Sequence, residues 1–479
     1  MPLGREQLAA AALGGGPVRV VAGAGTGKTA VIAERFRRLV ASGASPESIL
    51  VMTFTERAAN EMRQRIETLT DAAAPSVGTF HSIALGWLRD DGGSVGVQPG
   101  FRIVVGADRW ILARELMWGI GDAALTGDER PDDLVSPVLQ MLERMKQELV
   151  PFDRLAAWAA AAEDPERSAL MRACVRLFRA YDRECRRHRL LDFDDLLLLT
   201  VRMFEKNPGV LERYAARYPH VLVDEYQDLN LAQERLVELL ASRGAAGGDP
   251  FVVGDDDQSI YRFRGASRAS LDRFTRSFPN ARTVTLGKNR RSSRRIVTAA
   301  SGLIAQNGDR LSKQLRSEAA GPRVELWRFD DGASEAGAIA AEAARLVDSG
   351  VSLSAIAVLC RTNAIARPAA AAMAARGVPH VVIGGHGFLD RPEVRDVIAM
   401  LRVMRDPSDG VALARPAAAA LQPLLERFAE IAQKLDVRDL FFELMEQSRY
   451  PATANVSRFA EKIAEFCETS PDHSLDAYM

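Results

Sequence analysis

AGAGTGKT at residues 22–29 is the stretch that decides the fold of this chain of 479 residues. It follows the apolar run RVVA (19–22) and leads into a segment of helical character. Glycines let the backbone come close to a phosphate, and the N–H groups at the start of a helix favour negative charge. The stretch therefore predicts a strand, a phosphate-binding loop and a helix in that order.

Individual residues of this loop have distinct expected roles. Lys28 would reach the β- and γ-phosphates of a nucleotide, and Thr29 would bind Mg²⁺. The strict pattern starts with glycine, whereas this chain has alanine at that position. The predicted loop residues are Ala22, Gly23, Ala24, Gly25, Thr26, Gly27, Lys28 and Thr29.

A second stretch, LVDEYQDLN at 222–230, supplies the carboxylates that such a site needs. Its apolar start predicts a buried strand, so Asp224 and Glu225 would lie at the carboxyl end of that strand, where ligands bind in open α/β sheets. We expect Asp224 to bind Mg²⁺ and Glu225 to orient or deprotonate the attacking water. Taken alone, the pair is also compatible with a helix cap.

The composition is typical of a globular protein, with 47% hydrophobic and 26% charged residues. The length predicts roughly three or four domains. The sequence has no long uncharged apolar run and no signal-peptide pattern, and its four cysteines are scattered without CxxC spacing. We therefore expect a reduced, cytoplasmic protein with no membrane partner and no zinc or iron–sulfur site.

The net charge of −1 gives no support for nucleic-acid binding, because such proteins usually carry a basic domain. Any contact with DNA must therefore come from a local groove. The Arg-rich stretches RECRRHR (183–189) and NRRSSRR (289–295) are candidates for lining it, although a solvated helix face also explains either one.

Apolar runs alternate with helical segments, which predicts an α/β fold with parallel sheets covered on both faces. We expect a first sheet domain from residues 1–89 and 200–282, a helical insertion at 90–199, an incomplete second sheet domain at 283–409 and the start of a second helical insertion at 410–479. The runs are RVVA (19–22), ILVMTF (49–54), VLVDE (221–225), FVVGD (251–255), TVTL (283–286), RVELWRF (323–329), IAVLC (356–360) and HVVIGG (380–385).

Further motifs occur in a fixed order around these two: TFTERAANEM (53–62), GTFHS (78–82), VVGDDDQSIYRFRGA (252–266) and an arginine pair at 290–291. With them, residues 1–409 resemble superfamily 1 DNA helicases of the UvrD/PcrA/Rep type. The resemblance implies a P-loop NTPase with two RecA-like domains around an ATP cleft, each carrying a helical insertion. It also implies ATP-dependent 3′→5′ movement on single-stranded DNA and at duplex junctions, in repair or recombination.

This resemblance assigns roles to residues at matching positions. Gln7 would read adenine through its amide, Gln258 would sense the γ-phosphate, and Arg291 would stabilise charge in the transition state. Arg290 stands where the family has a tyrosine stacked on adenine, and a guanidinium can also stack on a ring.

The resemblance also implies a track for single-stranded DNA, because aromatic faces stack on any base. Phenylalanine at 263 replaces a family tryptophan, and the aromatic residues at 54 and 80 follow strand-like runs, so they are also candidates for the core. LDFDDLL (191–197) matches a family segment too, but an amphipathic helix explains it. The predicted DNA-contacting residues are Phe54, Thr79, Phe80, His81, Tyr261, Phe263 and Arg264.

Two later motifs of the family, TxHxxKGLE and RRLxYVAxTR, do not follow Arg291. Three explanations stay open: a fragment of a longer helicase, a shortened protein completed by a partner, or an accessory protein that binds nucleotide. A kinase or GTPase is disfavoured because it would lack TFH and QSIYRFRGA. A non-catalytic nucleotide- and DNA-binding subunit of a helicase–nuclease or repair complex remains compatible with the motifs before residue 409.

Overall fold

The computed structural model describes residues 3–70, 73–126, 132–242, 249–260, 269–308, 310–383, 389, 391–432, 434–470 and 472–479. The chain divides into two compact units, Met1–Val324 and Glu325–Met479. Within the described residues, no helix combines the length and the apolar composition needed to span a membrane.

The first unit is built on strands. They are β1 (Val18–Ala22), β2 (Ile49–Thr53), β3 (Val77–Thr79), β4 (Arg102–Val104), β5 (Leu190–Asp192), β6 (His220–Val223), β7 (Asp249–Gly254) and β8 (Arg282–Leu286). Six of them form one sheet in the order β3-β2-β6-β7-β1-β8, with every neighbouring pair parallel. This confirms the predicted α/β fold with a parallel sheet.

Helices connect these strands, as parallel pairing requires. Those of the first unit are α1 (Arg5–Ala12), α2 (Lys28–Ala41), α3 (Glu56–Thr70), α4 (Phe80–Asp91), α5 (Gly106–Ile120), α6 (Ala123–Thr126), α7 (Asp132–Gln147), α8 (Phe152–Ala161), α9 (Pro165–Arg187), α10 (Phe193–Lys206), α11 (Pro208–Arg217), α12 (Leu231–Ser242), α13 (Ser270–Ser277) and α14 (Arg294–Ile304).

Both faces of the sheet are buried, as β2 illustrates. Because successive side chains of a strand point to opposite faces, Ile49 and Val51 join one apolar core with Phe36, while Leu50 and Met52 join another on the opposite face. A strand covered on both faces is apolar along its whole length, which is why these runs were recognisable in the sequence.

Strand β8 belongs to the six-stranded sheet, although it was expected to begin the second sheet domain at residue 283. TVTL (283–286) is a strand, as predicted, but it pairs with β1 at the edge of the first sheet, with Val18 opposite Arg282 and Ala22 opposite Leu286. Only Leu286 of β8 is buried, so the strand has the one-sided pattern of a sheet edge. The predicted limits of the domains as a whole remain a prediction.

Residues 102–192 contain a separate apolar core. Leu112, Leu142, Phe178 and Tyr181 pack there between helices α5, α7 and α9, beside the two-stranded parallel sheet β4–β5. Helix α10, in contrast, packs through Phe204 into a core of the six-stranded sheet.

The second unit is helical in its described residues. Its C-terminal helices bury Met400, Phe428 and Phe459 in one apolar cluster. The helices are α15 (Gly332–Asp348), α16 (Asn363–Ala375), α17 (Pro392–Arg405), α18 (Gly410–Leu413), α19 (Pro416–Ala420), α20 (Gln422–Ile431), α21 (Val437–Ser448), α22 (Ala454–Thr469) and α23 (Leu475–Tyr478).

Three runs predicted as strands, at 323–329, 356–360 and 380–385, form no strand within the described residues. Leu326 is 92% exposed and Leu359 is 95% exposed. A parallel strand needs neighbours for its backbone and cover for its side chains. The described residues supply neither here, so this part of the strand prediction is wrong; residues 384 and 385 lie outside the described part.

Candidate nucleotide site and nucleic-acid cleft

The phosphate loop at 23–27 links β1 to α2 and is held by its own hydrogen bonds. The hydroxyl of Thr26 donates to the carbonyl of Gly23 at 2.7 Å. Gly25 and Gly27 have φ values of 70° and 87°, in the left-handed region that strains residues with a Cβ atom. Helix α2 begins directly at Lys28, so the unpaired N–H groups of its first turn lie beside the loop.

Residues from distant parts of the sequence meet at this loop. The Nζ atom of Lys28 lies 2.6 Å from Oε2 of Glu225, and the lysine side chain is 9% exposed. The hydroxyl of Thr29 donates to Oδ2 of Asp224 at 3.3 Å. The phosphate loop and the carboxylates predicted from two separate motifs therefore form one site at the carboxyl ends of β1 and β6.

The surroundings of Asp224 fit a divalent cation. Burial, followed by the nearby charge of Glu225, raises the pKa of Asp224 to about 7. A cation at this position would favour the carboxylate form. Mg²⁺ prefers oxygen ligands, and the hydroxyl of Thr29 and the carboxylate of Asp224 provide them side by side.

Gln227, for which the sequence predicted no role, ties the ends of β6 and β7 together. Its Nε2 donates to Oε2 of Glu225 at 2.9 Å, and its Oε1 accepts from the backbone N of Asp255 at 2.7 Å. The carboxylate of Asp255 in turn accepts from Nε2 of Gln258. The residues predicted to orient water and to sense the γ-phosphate are therefore connected through two intervening residues.

A pocket of about 290 Å³ beside the loop holds the predicted base-binding residues. The amide of Gln7 donates to the carbonyl of Thr26 and accepts from the N of Gly4, both at 2.8 Å. Arg290 lines the same pocket, and its Nε is buried with no hydrogen-bond partner among the described residues. A Cβ atom at position 4 would lie 1.7 Å from Nη2 of Arg290, so a larger residue there would displace the end of the arginine side chain.

The segment that carries Arg291 lies against the phosphate loop. The side-chain amide of Asn289 donates to the carbonyl of Ala24 at 2.7 Å, and the backbone N of Arg290 donates to Gly25 at 2.8 Å. The side chain of Arg291 is exposed next to this contact. Its predicted role on the transferring phosphate stays a prediction.

Three of the predicted DNA-contacting residues, Phe54, Thr79 and His81, line a cleft of about 510 Å³. Phe54 follows β2, Thr79 ends β3, and His81 lies in the first turn of α4. The ring of His81 stacks on that of Phe193, with centroids 3.9 Å apart and planes 21° apart. The cleft therefore contains flat aromatic surfaces of the kind on which bases stack.

Phe193 lies in LDFDDLL (191–197), a stretch that an amphipathic helix explains and to which the sequence gives no DNA-binding role. Its side chain lines the cleft and the residue is 50% exposed. It is in phase with Leu197, Val201 and Phe204 on the buried face of α10. Because it precedes them at the start of the helix, it extends past the apolar core into the cleft.

A buried ionic cluster holds the start of α10. Nζ of Lys146 lies 2.6 Å from Asp192 and 2.8 Å from Asp195. The two aspartates also cap the helix reciprocally, each accepting from the other's backbone N at 3.0 Å. Burial and the charge of Asp192 raise the pKa of Asp195 to about 7. These contacts fix the chain before and after Phe193, at Asp192 and Asp195.

Carboxylates also line this cleft, at Glu56, Glu143 and Asp194, together with one guanidinium from Arg109. Thr79 donates to Glu56 at 2.8 Å. Burial, followed by the charge of Asp192, raises the pKa of Asp194 to about 6. Negative walls repel phosphates, so this cleft suits the bases of a strand better than its backbone.

Phe80 corrects the predicted DNA track. It is 1% exposed and packs with Trp87 in a core of the six-stranded sheet, so the prediction that its ring contacts DNA is wrong. The alternative reading of this residue as core is confirmed. Tyr261, Phe263 and Arg264 lie outside the described residues.

Comparison with known proteins gives two family matches. The profile described as the UvrD/REP helicase N-terminal domain matches residues 3–279, and the one described as the UvrD-like helicase C-terminal domain matches residues 284–469.

Individual relatives agree with these matches. The chain is 35% identical over 434 residues to the ATP-dependent DNA helicase PcrA of Leuconostoc citreum, covering 88% of this chain and 56% of the relative. It is 37% identical over 413 residues to the ATP-dependent DNA helicase UvrD1 of Mycobacterium tuberculosis strain H37Rv, covering 84% and 52%. PcrA of Bacillus subtilis is 34% identical over 405 residues, covering 84% and 53%. The chain thus spans about half the length of these relatives.

Proposed function

The chain belongs to the UvrD/REP helicase family, and from this premise we propose that it is an ATP-hydrolysing part of a DNA helicase or translocase. The proposal rests on the arrangement of residues at the carboxyl edge of the six-stranded sheet. The carboxyl ends of β1, β6 and β7 lead to the nucleotide residues, while those of β2 and β3 lead into the aromatic cleft. ATP chemistry and the grip on single-stranded DNA would therefore share one rigid support.

A short segment joins the two sites. Asn230 and Gln233 line the cleft and follow Glu225 within the same stretch of chain. They hold each other by reciprocal hydrogen bonds of 3.0 Å between side chain and backbone. A shift of Glu225 during the ATP cycle would therefore be passed along a constrained segment to residues beside the DNA.

In the chemical step, the phosphates of ATP would compete with Glu225 for Lys28. Glu225, freed from its ion pair, would then orient the attacking water, and Gln258 would respond to the γ-phosphate through the Gln227–Asp255 connection. Arg291 would add positive charge to the transferring group. Mg²⁺ held by Thr29 and Asp224 would neutralise phosphate charge.

The finer assignments come from the family resemblance. They are 3′→5′ polarity, action at duplex junctions, a role in DNA repair or recombination, a nuclease or repair-complex partner, and a cytoplasmic location. Sequence-independent stacking in the cleft supports a motor on single strands more than a sequence-specific DNA reader.

Steady-state ATP hydrolysis by the 479-residue chain, with and without single-stranded DNA, tests the proposal. We expect hydrolysis that DNA stimulates and that Lys28→Ala abolishes. Lys462→Ala is the control, because Lys462 forms an exposed ion pair with Glu465 in the second unit. Nucleotide and DNA binding without turnover would contradict the enzyme and support the alternative, a non-catalytic subunit.

A further inference from the structure

A buried lysine that no step above uses lies among three consecutive aspartates. Nζ of Lys313 is 2.8 Å from Asp255, 2.5 Å from Asp256 and 2.8 Å from Asp257. The side chain of the lysine is 0% exposed. These aspartates directly precede Gln258, and Asp255 accepts a hydrogen bond from it.

The lysine has an electrostatic reason to be there. Three carboxylates this close repel one another, and burial increases that repulsion because the surroundings screen it poorly. Burial acts to lower the pKa of Lys313, but its hydrogen bonds to the three aspartates outweigh burial and raise it. The ammonium group therefore stays charged and holds the three carboxylates together.

Lys313 lies within an extended segment, residues 310–319, which we term the strap. Its first part is fixed on the same aspartates: Nε of Arg310 donates to Asp257 at 3.0 Å, and the backbone N of Leu311 donates to Asp256 at 2.7 Å. One end of the strap is thereby tied to the loop that carries the predicted γ-phosphate sensor.

The second part of the strap is bonded to the arginine segment. The backbone N of Asn289 donates to Arg316 at 2.8 Å, and the hydroxyl of Ser317 donates to the carbonyl of Ser292 at 2.6 Å. The strap also lies against the phosphate loop, because a Cβ atom on Gly23 would be 2.4 Å from Cδ2 of Leu315. The strap therefore contacts residues before and after Arg291 in the sequence, and it also contacts the phosphate loop.

We infer that Lys313 is a positioning residue that couples Gln258 to Arg291 through the strap. This inference rests on the proposed ATPase function. Gln258 and Arg291 are expected to approach the nucleotide from different elements, and within the described residues the strap is hydrogen-bonded to the loops of both. With Lys313 in place, the two loops move as one body; without it, the strap loses its buried attachment.

The test compares Lys313→Met with Lys462→Met, the same substitution in an exposed ion pair. A second variant, Lys313→Met with Asp256→Asn, removes one uncompensated charge to protect the fold but does not restore the attachment. We expect kcat for DNA-stimulated hydrolysis to fall at least about tenfold in both Lys313 variants, with KM changed less than about threefold. Lys462→Met should match the unsubstituted chain.

Hydrogen–deuterium exchange with ATPγS gives a readout that does not need turnover. In the unsubstituted chain, ATPγS should slow exchange at 22–29 and at 310–319. In the Lys313 variants, protection at 22–29 should persist while protection at 310–319 is lost. A merely stabilising lysine would lower the thermal midpoint and leave this pattern unchanged.

The outcomes separate the two hypotheses. If the unsubstituted chain turns over ATP and folded Lys313→Met has the same kcat and the same exchange pattern, the positioning role is wrong and the proposed function stands. If ATPγS protects 310–319 in the unsubstituted chain but no turnover occurs, the proposed ATPase fails. In that case, retained strap protection in Lys313→Met would overturn the positioning role as well.

Discussion

Lys28 and Glu225 form an ion pair at the carboxyl edge of the sheet, with Nζ and Oε2 2.6 Å apart. Lys28 is expected to bind the phosphates and Glu225 to act on the attacking water. In this structure, each charge is neutralised by the other. If these roles hold, nucleotide binding would separate them. The pair would then link arrival of ATP to release of the carboxylate expected to act on water.

Glu225→Gln should separate nucleotide binding from hydrolysis. The amide cannot act as a base and no longer holds Lys28 by charge, so we expect ATP affinity to be equal or higher and turnover to fall about 10²–10⁴-fold. Equilibrium titration with a fluorescent ATP analogue and steady-state hydrolysis measure the two effects. Glu465→Gln, at an exposed ion pair, should change neither. Parent-level turnover in Glu225→Gln would remove the assignment of Glu225.

Phe193→Ala should weaken binding of single-stranded DNA, although Phe193 is not among the residues predicted from the sequence to contact DNA. The loss should be about 1–3 kcal/mol, the usual contribution of one stacked base. His81→Ala should cost a similar amount, and the double variant less than the sum, because the two rings stack on each other. Fluorescence anisotropy with a labelled oligonucleotide measures the affinity.

The control for these variants is Phe442→Ala, since Phe442 is 54% exposed in the second unit. Its DNA affinity should equal that of the unsubstituted chain. Additive losses in the double variant would show that His81 and Phe193 act on separate nucleotides.

Phe80→Ala should behave in the opposite way. The ring is buried with Trp87, so its loss should destabilise the first unit by about 3–5 kcal/mol. DNA affinity of the folded fraction should not change beyond that. Urea denaturation followed by tryptophan fluorescence measures the first effect, and anisotropy at a temperature where the variant is folded measures the second.

Asp194→Asn should change how stability depends on pH. Burial raises the pKa of Asp194 from 3.8 to about 6 in the folded chain. The folded state therefore keeps the proton where the unfolded state has lost it, so the contribution of Asp194 to stability falls as pH rises from about 4 to about 6 and stays low above that. The variant should be more stable by about 1–3 kcal/mol at pH 8 and gain nothing at pH 4.

Urea midpoints at the two pH values test this expectation. Asp153→Asn is the matched control, because Asp153 pairs with Arg179 while its side chain is 89% exposed. An equal gain at pH 4 and pH 8 for Asp194→Asn would point to the loss of a structural contact instead of a titration.

The geometry of the candidate nucleotide site was predictable because each of its parts obeys a local rule. Glycines at 25 and 27 are required by left-handed backbone, and Asp224 and Glu225 follow a strand whose apolar run marks it. Lys28 and Glu225 could be placed together because parallel strands bring their carboxyl ends to one edge.

Other features depend on contacts between distant segments, which no local pattern records. Phe193 has the periodicity of a core residue, and only its place beyond the end of the core exposes it. Phe80 lies within the motif GTFHS (78–82), yet its side chain points into the core. Gln227 lies within LVDEYQDLN and Lys313 lies in no quoted motif, but the roles of both come from the loops they connect.

The strands predicted after residue 286 show the same limit. An apolar run such as IAVLC (356–360) indicates the capacity to be a strand, but pairing depends on neighbours that the run itself does not specify. Strand β8 is a run of this kind that does pair, because TVTL lies beside β1, which is far earlier in the chain.

Glu225 adopts a left-handed backbone, with φ at 50° and ψ at 46°. For a residue with a side chain this conformation costs roughly 1–2 kcal/mol, and glycine avoids that cost. Glu225→Gly would therefore relieve backbone strain while deleting the carboxylate that faces Lys28. The carboxylate that is expected to act on water therefore stands where the backbone alone favours glycine, and the substitution that would remove the strain would also remove that carboxylate and its ion pair with Lys28.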